Sequence, residues 1–75
     1  MKLATDTFQI RLKELRIARG ATHRDMGELL GITPRAYQYY ESGNRYPDFK
    51  GLIALADYFD VSIDYLVGRT GNRTG

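Results

Sequence analysis

A chain of 75 residues has room for one small domain. With no cysteine and a single histidine it can build neither a disulfide nor a metal site of thiolates or imidazoles. The 11 basic residues outnumber the 9 acidic ones only slightly, but they are unevenly spread. Met1 to Arg45 carries eight Lys/Arg against five Asp/Glu, and Tyr46 to Gly75 carries three against four, so the positive character sits in the N-terminal part, as suits a phosphate-facing surface.

The N-terminal stretch MKLATDTFQIRLKEL lacks the apolar core of a secretory signal. No apolar run in the chain approaches the roughly 18 residues that span a bilayer. A cytoplasmic protein without a membrane partner is the expectation.

Helical periodicity dominates and strand-like alternation is nearly absent. The first helix is expected from Thr7 to Arg19, with Phe8, Leu12, Leu15 and either Ile17 or Ala18 turned inward. Gly20 ends it. Thr22 caps the second, from His23 to Leu30, and Asp25 completes a capping-box pattern. Met26, Leu29 and Leu30 form its inner face. Gly31 stops that helix, Ile32 plugs the corner, and Thr33 followed by Pro34 starts the third, which runs to Ser42. Gly43 ends it. Asp48 caps a fourth from Phe49 to Phe59, expected to bury Phe49, Leu52, Ile53, Leu55, Ala56 and Phe59, and Ser62 caps a short fifth from Ile63 to Val67, ended by Gly68. Residues 69–75, RTGNRTG, hold no apolar group and are expected to be a disordered tail. The fold class is therefore all-α, five short helices around one core over residues 7–68. The expected core is Phe8, Leu12, Leu15, Met26, Leu29, Ile32, Tyr37, Tyr40, Leu52, Ile53, Leu55, Ala56, Phe59, Val61 and Leu66.

Two helices joined by only Gly31, Ile32 and Thr33 make a helix-turn-helix. Gly31 supplies the positive φ that the turn needs, and Gly27 leaves space where the two helices cross. The third helix has two faces. Ala36, Tyr37 and Tyr40 lie on one side and anchor it. Arg35, Gln38, Tyr39 and Ser42 lie on the other, spaced i, i+3, i+4 and i+7. Such an outer face suits the edges of bases: Arg35 forks onto guanine and Gln38 onto adenine. Tyr39 offers a hydroxyl to a base or phosphate and a ring to a thymine methyl. Thr33 at the helix start can meet a phosphate, and Pro34 presents apolar surface.

The stretch from Phe8 to Gly68 resembles the Cro/C1-type helix-turn-helix family, to which the phage repressors and Cro belong. The pattern LGIxxxxYxxYExGxRxP, the apolar fourth helix and VSxDYLxG carry the resemblance. It implies a five-helix, lambda-repressor-like domain that binds operator DNA, usually as a dimer, with the third helix in the major groove. By position it places Thr33, Pro34, Arg35, Gln38 and Tyr39 at base-facing sites. It places Thr22, His23, Asn44 and Arg45 at phosphate-facing sites. His23 stands where the family usually has Gln, which makes that contact pH-sensitive. Arg16 and Glu41 match a pair that is often an internal salt bridge, and Tyr37 stands where Ile or Val is usual.

Ile63, Tyr65, Leu66 and Val67 exceed what so short a helix can bury on one side, so a two-fold dimer on a palindromic DNA operator is expected. The expected function is sequence-specific binding of double-stranded DNA by a transcriptional repressor. The alternative is a protein-interaction module on the same scaffold, such as the antitoxin of a toxin pair. No cofactor and no small-molecule ligand is expected, and the chain lacks the nucleophile, paired-carboxylate, metal or phosphate-loop patterns of an enzyme.

Overall fold

The structure, a computed structural model, describes the backbone of residues 4–74 and the side chains from residue 7 onward. Most of the stretch weighed for a secretory signal is helical, but Met1 to Leu3 lie outside the described residues, as does Gly75 of the tail. Five helices follow in order: α1 Ala4–Arg19, α2 His23–Leu30, α3 Pro34–Ser42, α4 Phe49–Phe59 and α5 Ile63–Leu66. The three middle ones have the bounds expected from their caps, α1 starts three residues early and α5 stops one residue short.

The caps explain those bounds. Thr22, Thr33, Asp48 and Ser62 each accept from the backbone N–H three residues on, which satisfies a donor that the first helical turn leaves free. At Thr22 the capping box is complete, because Asp25 in turn accepts from the Thr22 N–H at 2.9 Å. At the other ends Gly20, Gly31, Gly43 and Gly68 all take positive φ. The exception is α4, which ends on Asp60 with φ 55°, the one non-glycine among the described residues in that region. The Asp60 N–H reaches the Asp57 carbonyl and the Val61 N–H the Ala56 carbonyl, the same closure that the glycines provide elsewhere.

Phe8, Leu12 and Leu15 form one stripe of α1, and with Met26, Tyr37, Leu55, Ala56, Phe59, Val61 and Leu66 they make the core. Ala21, in the α1–α2 link, joins them unexpectedly. Ile32, Tyr40 and Leu52 are only half-buried at its edge. Other expectations fail outright. Leu29 and Ile53 are exposed, Phe49 is 72% exposed, and on α1 Ile17 and Ala18 both face outward. A helix with apolar groups all round still has only one face against the core, and the surplus points away.

The apolar surplus of α5 is accommodated differently from expectation. Leu66 is fully buried, while Ile63, Tyr65 and Val67 are half-buried against the core. Arg11 of α1 lies over the Tyr65 ring, 4.1 Å from its centroid, and Arg73 lies 5.6 Å from the same ring. Arg11 also donates to the carbonyls of Tyr65 and Thr70. The Ser62 N–H donates to the Arg73 carbonyl at 2.7 Å. Thr70 and Arg73 thus tie the stretch after α5 back to α1 and α5, where sequence composition suggested disorder.

Candidate nucleic-acid interface

The α2–α3 corner closes with a hydrogen bond from the Ile32 N–H to the Gly27 carbonyl, 2.9 Å, made possible by Gly31 at φ 70°. Gly27 is buried at the crossing. A Cβ there would lie 2.7 Å from the Ile32 carbonyl oxygen and 3.1 Å from the Pro34 nitrogen. The backbone of the turn therefore fills the space that a side chain would need, and the angle between α2 and α3 depends on that absence.

Tyr37 fixes α3 from the inside. Its ring is fully buried and packs edge-on to Tyr40, with ring centroids 6.2 Å apart. Burying such a side chain contributes roughly 2–3 kcal/mol, but a stranded hydroxyl would forfeit about 1–3 kcal/mol of that. The hydroxyl instead donates to Glu41. Burial, and then this hydrogen bond, push the phenol well above its usual range, so it stays a donor. That pairing is how a tyrosine serves at a fully buried position.

Glu41 gathers the whole local network. Arg16 of α1 meets it with a bidentate fork, Nε to Oε2 at 2.7 Å and Nη2 to Oε1 at 3.2 Å, and gives its other arm to the Ala21 carbonyl. The expected Arg16–Glu41 pair is present and links helix α1 to α3. Burial raises the Glu41 carboxyl, but hydrogen bonds from Arg16 and Tyr37 and the charges around it outweigh burial and hold it below the ordinary carboxylate value.

On the outer side Thr33, Pro34, Arg35 and Gln38 are exposed, and Tyr39 is half-buried. The Arg45 guanidinium lies 5.1 Å from the Tyr39 ring centroid, which accounts for the partial cover. The Arg35 guanidinium holds the Tyr39 phenol below its usual range. The tyrosine thus sits between two cations with its hydroxyl outward. His23, Arg35, Gln38, Tyr39 and Asn44 line one open hollow, together with Lys13 and Ser42. Lys13 is not among the contacts that the sequence points to. Only the approach of α1 to α3 reveals its place, and nothing in the local sequence signals it.

The candidate phosphate contacts differ in what they have left to give. Asn44 and Arg45 are exposed after the end of α3. The Thr22 N–H is taken by Asp25, whose own carboxyl that bond holds below its ordinary value. Likewise the Thr33 oxygen accepts from the Ala36 N–H at 3.0 Å and keeps one hydroxyl proton free. His23 does not simply face outward. Its Nδ1 lies 3.2 Å from Gln38 Nε2 and its Nε2 lies 3.7 Å from Glu41 Oε1. Sequence spacing could not show this, since the two residues are on different helices.

A family model described as helix-turn-helix matches residues 12–66. Among curated proteins the chain is 43% identical over 66 residues to the HTH-type transcriptional regulator YqaE of Bacillus subtilis, covering 88% of this chain and 57% of that one. It is 39% identical over 59 residues to the cryptic phage CTXphi transcriptional repressor RstR of Vibrio cholerae, covering 79% and 46%. A crystal structure of a transcriptional regulator from Listeria innocua superposes with a TM-score of 0.79 at 43% identity, covering 81% of this chain and 57% of that one. The chain thus spans about half the length of the curated relatives it matches. Their names give no support to the antitoxin alternative.

Proposed function

The chain belongs to the helix-turn-helix family, and on that premise we propose that it regulates transcription by binding double-stranded DNA sequence-specifically, with α3 in the major groove. The observation that carries this is the division of α3 into two faces. Tyr37 is fully buried, while Arg35, two residues before it, and Gln38, one residue after it, stand in solvent on the other side. An exposed guanidinium and amide on a helix held rigid from behind are what base edges in a major groove require. Thr33, Pro34 and Tyr39 complete the reading surface. Thr22, Asn44 and Arg45 rim it and meet the backbone phosphates, with His23 beside them.

The finer reading is repression by a homodimer on a palindromic operator in the cytoplasm. The likeness to a named phage repressor supports repression. Two-fold pairing would set two copies of α3 about 34 Å apart, one DNA turn. No helix among the described residues is long and apolar enough to cross a membrane.

Selection of bound duplexes from a random pool, followed by a salt titration, tests the proposal. Enrichment of a defined site, with log affinity falling against log salt at about −0.9 per neutralised phosphate, is the expected result. Failure to enrich any sequence would refute specific reading. A two-fold repeat in the enriched site, and sedimentation as a dimer, would support the finer reading; an unrepeated site bound by one copy would contradict it.

A further inference from the structure

We propose that His23 is a positioning residue that decides which edge of the Gln38 amide faces the DNA, so that base preference at one operator position changes with the charge of this imidazole. The inference rests on the reading of α3 as the base-reading helix. Its observation is the 3.2 Å approach of Gln38 Nε2 to His23 Nδ1 across the α2–α3 corner.

An amide nitrogen can only donate, so the facing ring nitrogen must accept. In this arrangement Nδ1 is bare and the ring proton sits on Nε2. The carboxylate of Glu41, 3.7 Å from Nε2, favours that tautomer. Arg16 and Tyr37 hold the carboxylate in place from behind. The remaining edge of Gln38 then offers an oxygen and one N–H to solvent. That is the acceptor–donor pair that reads N6 and N7 of adenine.

A charged imidazole has no acceptor. Its Nδ1–H meets the amide nitrogen as donor against donor, and the amide turns over to place its oxygen there. Gln38 now turns an N–H to the place where its oxygen had faced N6, which suits O6 of guanine and leaves N6 of adenine without a partner. The other titratable and charged groups around the ring come from two elements: Lys13 and Arg16 of α1, and Arg35, Tyr37, Tyr39 and Glu41 of α3. Glu41 stays ionised through the range where imidazoles charge, because its carboxyl is held below the ordinary carboxylate value. It therefore gains an ion pair with the charged ring.

The test uses the whole 75-residue chain and a duplex that it selects from a random pool at pH 8. Affinity is measured for matched duplexes that differ at single base pairs, at pH 8 and pH 5.5. The ratio of A·T to G·C affinity cancels any uniform gain from an added positive charge. Gln38→Ala at pH 8 first locates the position that Gln38 reads, as the one whose preference is lost. There the wild-type ratio is expected to fall by about tenfold at pH 5.5, the scale of one bidentate contact, with other positions steady. His23→Gln, whose amide both donates and accepts at any pH, is expected to bind with a ratio that does not change. A wild-type ratio that is constant with pH overturns the inference, as does a shift that survives in His23→Gln, or a Gln38→Ala that alters no position. In all three cases specific binding survives and only the role of His23 or Gln38 is lost, whereas a chain that selects no duplex fails at the proposed function itself.

Discussion

Replacing Glu41 with Gln probes the tie between core and reading helix. The side chain keeps its shape and one accepting oxygen but loses its charge. Arg16 and Glu41 are 13% and 8% exposed, so the change leaves a guanidinium nearly out of water with half of its partner. Removing one member of a fully buried pair costs about 3–5 kcal/mol. The surviving acceptor and the residual exposure of Arg16 reduce this to roughly 2–3 kcal/mol. A 75-residue domain has about 4–11 kcal/mol in all, so the loss is a large share. Thermal melting is expected to fall by about 10–20 °C, and the urea midpoint to drop with an unchanged denaturant slope. Acid supplies a second check. The folded Glu41 carboxyl lies below its ordinary value of 4.5. A depressed folded pKa gives stability that is fully present above the unfolded value and is lost as pH falls through the folded one. The gap between wild type and Glu41→Gln is therefore expected to narrow below about pH 4, where the carboxylate takes up its proton. Adding Arg16→Met to Glu41→Gln removes the stranded charge, and the double variant is expected to lose about 1–3 kcal/mol less than the sum of the singles. A cost under about 0.5 kcal/mol for Glu41→Gln, or strict additivity, would show that the network does not hold α3 in place.

Three further changes address other links. Gly27→Ala gains about 1 kcal/mol of helix propensity but drives a methyl to 2.7 Å from the Ile32 carbonyl. Net destabilisation of about 1–3 kcal/mol in urea unfolding is expected, and any stabilisation would mean that the corner is loosely packed. Asp60→Gly removes a non-glycine from φ 55° and is expected to raise stability by about 0.5–1 kcal/mol; a lower melting point would contradict the account of that cap. Arg45→Ala is expected to weaken binding to all sequences alike and to reduce the salt slope by about 1, so an altered base preference in a binding assay would move Arg45 from phosphate to base contact.

Element bounds were legible because the punctuation is chemical and local. Thr22 and Gly31, Thr33 and Gly43 bracket α2 and α3 by satisfying terminal donors and acceptors, and no distant contact is needed to predict them. The two faces of α3 followed from spacing alone, including the fully buried Tyr37. Orientation was not legible where a helix carries more apolar residues than one face can hold. Phe49 and Ile53 are as apolar as Leu52 and Leu55, and only the position of neighbouring helices selects which pair goes inside. Ala21 was missed because it lies in a link and follows no period. The left-handed Asp60 was missed because aspartate there signals a cap more weakly than glycine does. The coupling of His23 to Gln38 joins residues fifteen apart on separate helices, so it exists only once the corner has folded. Residues 69–74 lack apolar groups, and their placement depends on carbonyl oxygens meeting Arg11, which composition does not encode.

The reading face connects to the core through few groups. Gln38 touches His23, His23 faces Glu41, and Glu41 holds Tyr37 and Arg16. The helix proposed to meet DNA is thereby set by side chains whose pairing also stabilises the fold. Substitutions at Glu41 should consequently disturb stability and base preference together, whereas those at exposed Arg35 should disturb base preference alone.

Arg35 provides the most direct test of α3 as a reading helix. Base preference is profiled position by position for wild type and Arg35→Ala on the selected duplex, with unfolding followed in parallel. Preference is expected to collapse at one position, by about 1–3 kcal/mol, with stability and the other positions unchanged. An Arg35→Ala profile that superimposes on that of the wild type at every position would place the DNA-reading surface somewhere other than the outer face of α3.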